Sequence, residues 1–226
     1  MPRRLLLALA LAAASCPGPS DALAQRRSVD VSGRTATLFG ARRLEPEAFV
    51  LGLTTGFPKT GLNLHFGLAE AFDLAVLLGV TYGRTDFDGD RQGVGFEGRV
   101  PFRWTLSARE ALALGLRLTP YFMVGECCPS IATGGDLAFL VDIALRRVLK
   151  LILGPELRTG FATVGGDPTR RAGYDGGLWA NFGVETLIDD LFFVGLVFHG
   201  GVLWGTGPND VEGVFRARIN AGLRLD

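Results

Sequence analysis

From Gly61 to the C-terminus, large apolar side chains recur at every second position in stretches of roughly nine to fourteen residues, each closed by a turn. In LNLHFGLA, Leu62, Leu64, Phe66 and Leu68 share one face, and Asn63, His65, Gly67 and Ala69 share the other. DLAVLLGVTY and VFRARINAGLRL read the same way. Side chains on a strand alternate faces with a period of two, so each stretch predicts a strand with one oily face and one polar or small face. Tilted strands of this length suit a membrane-spanning β-barrel. The pattern predicts about ten strands, with 8 or 12 as alternatives. Their expected bounds are 48–57, 61–69, 72–82, 93–106, 111–124, 131–145, 149–164, 176–186, 191–204 and 213–226. The fold class is therefore all-β, an antiparallel up-and-down transmembrane barrel over 48–226.

The connectors alternate in character. AEAF, SARE, RRVL and LIDD are short, whereas GRTDFDGDRQ, GECCPS, GGDPTRRAGYD and GTGPNDVE are richer in Gly, Pro and Asp and mostly longer. Bacterial outer-membrane barrels turn tightly on the periplasmic side and carry longer loops outside, which puts both chain ends in the periplasm. An even strand count follows, although Thr35 to Arg42 also reads as a possible extra strand.

Alternation alone leaves open which face points inward. A soluble or lipid-anchored lipocalin-like barrel would line a ligand cavity with the apolar face, whereas a membrane barrel turns it to lipid. Aromatics near strand ends favour lipid outside. Tyr82, Phe122, Phe161, Trp204 and Phe215 fall toward the loop end, and Phe72, Phe102, Trp104 and Phe192 toward the turn end. Several strands also exceed the length usual in soluble sheets.

The N-terminus reads as an export signal over residues 1–24. Arg3 and Arg4 precede an apolar run from Leu5 to Ala14, and Ala22-Leu23-Ala24 offers a small-x-small cleavage site. A lipoprotein signal at Cys16 is the alternative, with Ala13-Ala14-Ser15 before it lacking the Leu usual in such a box. Residues 25–47 are expected to form a periplasmic N-terminal segment. No later apolar stretch has the length of a transmembrane helix. Hydrophobic residues make up 48% of the chain and mean hydropathy is +0.28, high for a soluble domain, yet alternation disperses the apolar positions. The 23 basic and 23 acidic residues give a formal net charge of +0, with no dense basic run in the mature chain, so nucleic-acid binding has no support.

By these features the chain resembles the small bacterial outer-membrane β-barrels, such as the barrel domain of outer-membrane protein A and its many relatives. The hairpin GLAEAFDLAVLLGVTYG, Gly67 to Gly83, carries much of the likeness: strand, acidic tight turn, strand ending in an aromatic. The resemblance covers roughly Phe49 to Asp226. It implies residence in the outer membrane of a Gram-negative bacterium, contact with outer-membrane lipid, and insertion by the outer-membrane assembly machinery after periplasmic chaperoning. Such barrels commonly end on Phe or Trp, whereas this chain ends Leu223-Arg224-Leu225-Asp226.

The inward face carries the candidate chemistry. Alternation assigns to it Glu97, Arg99, Arg103, Arg117, Asp136, Asp142, Lys150, Glu156, Arg158, Glu185, His199, Arg216, Arg218 and Arg224. Of these, Glu97, Arg99, Arg117, Glu156, Arg158 and Arg218 are expected to form a lumen charge network, because charges in a low dielectric must pair or stay wet. Two outcomes follow: a salt-bridged plug in a structural or surface-exposed envelope protein, or a narrow, anion-leaning, porin-like pore.

Enzyme signatures are weak. Gly93-Val94-Gly95-Phe96-Glu97-Gly98 spells G-x-G-x-x-G but opens a strand, where no helix N-terminus could receive a phosphate. Ser28, Ser32, Ser107 and Ser130 do not fall in register with His65 or His199, and His199 lies below the rim where an outer-membrane hydrolase would work. The chain is therefore read as non-enzymatic and without a cofactor, a rim-located hydrolase being the alternative. Asp86, Asp88 and Asp90 imitate calcium-loop spacing, but Arg91 stands where Gly is needed. Cys127 and Cys128 are adjacent, which would strain a disulfide between them.

Overall fold

In the computed structural model, which describes residues 36–82, 94–125, 130–146, 148–164, 173–189, 191–204 and 211–225, the strand segments join into one closed antiparallel sheet. The described segments are β1 (Phe49–Phe57), β2 (Lys59–Ala69), β3 (Phe72–Thr81), β4 (Gly95–Arg99), β5 (Phe102–Ala108), β6 (Leu112–Gly125), β7 (Ser130–Ala144), β8 (Leu149–Val164), β9 (Gly173–Ile188), β10 (Phe192–Trp204) and β11 (Val211–Leu225). Apart from β4 and β5, each pairs with its sequence neighbour, and β11 returns to β1, with Phe49 opposite Leu225 and Phe57 opposite Ala217. Closure leaves no sheet edge with unpaired backbone groups, which is the condition for strands to sit in lipid.

The stave expected as one strand over 93–106 is two segments. Both β4 and β5 lie between β3 and β6, so the described segments build ten staves. The break falls at Pro101, which has no N–H to give to the ladder. Pairing continues around it, because Val100 donates to the Pro120 carbonyl at 3.0 Å and Ala75 donates to the Pro101 carbonyl at 2.9 Å. Other bounds move by a few residues. The second strand starts at Lys59, and β9 reaches from Gly173 to Ile188. Only Pro58 separates β1 from β2, so the first loop-side connection is tighter still than the three residues left between the expected bounds at 57 and 61. In the LIDD turn, Asp189 takes a left-handed φ of 51°, a conformation Asp tolerates better than most residues.

The faces fall as alternation predicts. Large apolar side chains point outward around the barrel, whereas Glu97, Arg99, Asp136, Glu156 and Arg158 are buried inside. This is the reverse of a lipocalin-like arrangement, and it corrects that alternative. Aromatic neighbours mark both ends of the outer face: Phe72 lies 5.3 Å from Trp104 at the turn end, and Phe161 lies 5.9 Å from Tyr174 at the loop end. The architecture is the small transmembrane-type barrel that the resemblance implied.

Near mid-stave, Leu137, Leu157 and Leu178 lie side by side on the outer face, each about half exposed. Leu157→Arg is expected to cost about 2 to 4 kcal/mol of folding stability in a bilayer, as a cation at the midplane does, while Leu157→Phe is expected to be near neutral. Urea titration of both variants in lipid vesicles measures the difference.

The largest departure concerns the N-terminal segment. Residues 25–47 are expected in the periplasm, but of the described part, 36–47, residues 36–44 turn into the barrel and pack against its inner wall. No strand forms over 36–42, where the sequence suggested an extra one. Ala36, Leu38, Leu44 and Ala48 pack with Val50, Leu187 and Phe193, and Ala41 packs with Ala113, Ala138 and Leu140. Apart from Ala138, which lies mid-strand, these wall residues lie toward strand ends on the short-turn side, so the segment fills the turn end of the lumen. Every described residue belongs to the unit Gly33–Asp226.

Candidate functional site

An irregular segment inside a barrel faces an accounting problem, since the ladder already uses the wall's backbone groups and every buried N–H and C=O of the segment needs another partner. Inward-pointing side chains supply them. Asp142, near the end of β7, accepts from the Ala41 N–H at 2.7 Å, the Arg42 N–H at 2.9 Å and the Thr37 hydroxyl at 2.9 Å. Glu185 on β9 accepts from the Leu38 N–H at 2.7 Å, and Asp73 on β3 accepts from the Leu44 N–H at 2.9 Å. Cations take the carbonyls. Lys150 donates to Ala36 at 2.5 Å, and Arg103 donates to Thr37 at 2.6 Å and to Gly40 at 2.9 Å while also pairing with Asp73. Arg42 reaches out of the segment to the Arg109 and Glu110 carbonyls of the β5–β6 turn, at 2.6 and 2.9 Å.

The fit is close at Gly40. A Cβ there would stand 2.0 Å from an Asp142 carboxylate oxygen that is already pinned by its hydrogen bonds, so only glycine lets the segment approach its main anchor. At the entry, a Cβ on Gly67 would meet the Glu45 carbonyl at 1.6 Å.

Above this layer, toward the loop end, lies the charge network. Glu97 on β4 pairs with Lys59 at 3.2 Å and with Arg99, whose guanidinium also reaches Asp136 at 2.5 Å. Arg117 pairs with Glu156 at 2.7 Å and donates to the Phe39 carbonyl at 3.2 Å, joining the network to the N-terminal segment. Asn181 adds a 3.2 Å bond to Glu156. Arg158, 1% exposed, lies over the Tyr121 ring at 4.4 Å from its centre and bonds its hydroxyl at 3.1 Å; Arg216 lies 4.4 Å from the centre of Trp179. Stacking on an aromatic face gives a buried guanidinium an attractive surface as well as a partner. Arg218 lines a cavity of about 50 Å³ between the segment and the network, with Arg99, Arg117, Glu156 and His199 also in its wall.

The network residues named from sequence thus all occupy the lumen, with Arg117 and Glu156 in contact and Arg99 tied to Glu97 and Asp136. Arg158 engages Tyr121, an aromatic partner that a count of charges passes over. The anchors for the N-terminal segment also went unassigned, although alternation places Asp73, Asp142 and Glu185 inward, and an inward carboxylate at the turn end is the available signal. His65 is buried, with its ring 5.9 Å from that of Phe39, and His199 is buried opposite Arg216. Asp86, Asp88 and Asp90, the cysteine pair, Cys16 and residues 1–24 lie outside the described residues. Among the described residues no group of three His, Cys, Asp or Glu side chains could hold a metal ion.

No family model matches the chain, and no curated protein matches it. Among solved structures it is similar to the N-terminal β-barrel domain of Pseudomonas aeruginosa OprF, at 11% identity and a TM-score of 0.37, covering 79% of this chain and 96% of that one. It is also similar to OmpT, an outer membrane protein of Vibrio cholerae, at 11% identity and a TM-score of 0.36, covering 76% of this chain and 56% of that one. A third is Ail, the attachment invasion locus protein of Yersinia pestis, at 10% identity and a TM-score of 0.30, covering 80% of this chain and 100% of that one.

Proposed function

We propose that this chain is an exported, non-enzymatic barrel of the Gram-negative outer membrane whose lumen is sealed by its own N-terminal segment. It acts as a structural or surface-exposed envelope protein. The observation that carries the reading is the way Asp142, Glu185, Asp73, Lys150 and Arg103 bind the backbone of residues 36–44, with the Arg117–Glu156 pair closing over them. A barrel of about ten strands is only a little wider than those that side chains alone fill, so one added strand's width of chain leaves little free passage. Lipid contact follows from the apolar outer face, and delivery by periplasmic chaperones and the assembly machinery follows from the outer-membrane location. A narrow anion-leaning pore is the second reading, favoured by the guanidinium groups of Arg158, Arg216 and Arg218 gathered toward the loop end.

Location and orientation have a direct test. An epitope tag after Gly89 is expected to bind antibody on intact cells, and one after Ala108, in a tight turn, only after the outer membrane is opened. Equal labelling of both would overturn the orientation, and recovery of the protein in the soluble fraction would overturn the location.

A further inference from the structure

We propose that the lumen binds one small monovalent anion, of chloride's size, at the cavity beside Arg218 and Asn220. The inference rests on the polar-lumen reading but not on whether the barrel conducts. Around this cavity the other cations have carboxylate partners. Arg103 pairs with Asp73, Arg99 with Asp136 and Glu97, and Arg117 with Glu156. Asp73 and Glu156 are thereby engaged, and Asp136 is engaged through one of its two oxygens. Arg218 lines the same cavity, is 8% exposed, and has no hydrogen bond or ion pair among the described residues. A buried guanidinium without a counter-charge is strongly unfavourable, and it offers donors only, so what the site lacks is a negatively charged acceptor.

A second buried donor points the same way. Asn220, 2% exposed, stands two residues along β11 and therefore on the same inner face, and its carboxamide oxygen accepts from Thr54 at 2.7 Å. That bond fixes the amide with its nitrogen toward the remaining space, and Asn220 Nδ2 has no partner among the described residues. His199 completes this side of the wall. The volume sets the class of ligand. A water needs roughly 10 to 15 Å³ of such space, so about 50 Å³ takes a monatomic anion with a little of its hydration. Charge sets the valence, because the four arginines of the wall, Arg99, Arg103, Arg117 and Arg218, face the three carboxylates of Asp73, Asp136 and Glu156, which would repel a second negative charge.

The test is the stability of the refolded full-length mature chain in detergent, measured in sodium chloride and in sodium gluconate at equal ionic strength. Chloride is expected to raise the unfolding midpoint in a saturable manner, sodium sulfate is expected not to do so beyond gluconate, and Arg218→Met is expected to remove the chloride effect. Arg224→Met, whose side chain lies at the turn end against Glu45 at 2.9 Å, is expected to keep it. A wild-type midpoint indifferent to chloride, or an Arg218→Met variant that still responds, overturns the site. If Arg218→Met does not fold, crystals of the wild type grown in bromide decide: an anomalous peak within hydrogen-bond reach of the Arg218 guanidinium supports the proposal, and a lumen without one overturns it. Failure here leaves the sealed-lumen reading intact, since that reading is judged by conductance.

Discussion

Asp142→Ala is expected to free residues 36–44 from the barrel. The substitution leaves the Ala41 N–H without an acceptor and takes the carboxylate from the Thr37 hydroxyl and the Arg42 N–H, which keep only the longer bonds they make with each other's residue, at 3.0 and 3.2 Å, in a place where water does not readily enter. A buried donor left unsatisfied costs about 1 to 3 kcal/mol and a hydrogen bond to a charged group contributes about 1.5 to 3, so one orphaned N–H and two lost carboxylate bonds together exceed what the small apolar contacts of Ala36, Leu38 and Ala41 offset. The staves keep their ladder and their lipid-facing side chains, so the barrel itself is expected to remain folded. Hydrogen exchange should separate the two: amides of 36–44 become fast in the variant while those of β6 to β9 stay protected. Fast exchange throughout would mean that Asp142 holds the wall, and slow exchange everywhere would mean that the segment does not depend on it.

Glu156→Gln is expected to cost about 3 kcal/mol or more of unfolding free energy. It removes the counter-charge from the part-buried Arg117 guanidinium 2.7 Å away, and breaking one side of a buried pair typically costs about 3 to 5 kcal/mol. In a wide, water-filled lumen the same change would cost only about 0 to 1 kcal/mol, as it does for exposed pairs. The double variant Arg117→Leu with Glu156→Leu is expected to recover most of the loss, because replacing both members removes the uncompensated charge. Denaturant titration in lipid vesicles reads all three proteins. A loss under about 1 kcal/mol in Glu156→Gln would show that the pair is hydrated.

Much of this was legible in the sequence because a single physical rule, alternation with a period of two, assigns every strand residue a face. It put Arg99, Arg117, Glu156 and Arg218 in the lumen and Leu62, Leu64, Phe66 and Leu68 on an apolar face of their own. It also hid the break at Pro101, since the inward phase set by Glu97 and Arg99 is still in step at Arg103. The N-terminal segment was not legible. Ala36 to Arg42 has the look of a strand, but its backbone groups find partners on Asp142 and Glu185, more than a hundred residues away, rather than on a neighbouring strand. No local pattern announces such partners. Gly40 looks like any other glycine until the Asp142 carboxylate is seen against it.

Single-channel recording on the refolded mature chain in planar bilayers tests the sealed lumen most directly. With residues 36–44 seated and Arg117 bound to Glu156, the barrel is expected to insert and give no resolvable current steps. Stable, anion-selective steps from the wild-type protein would contradict the account and make this barrel a channel.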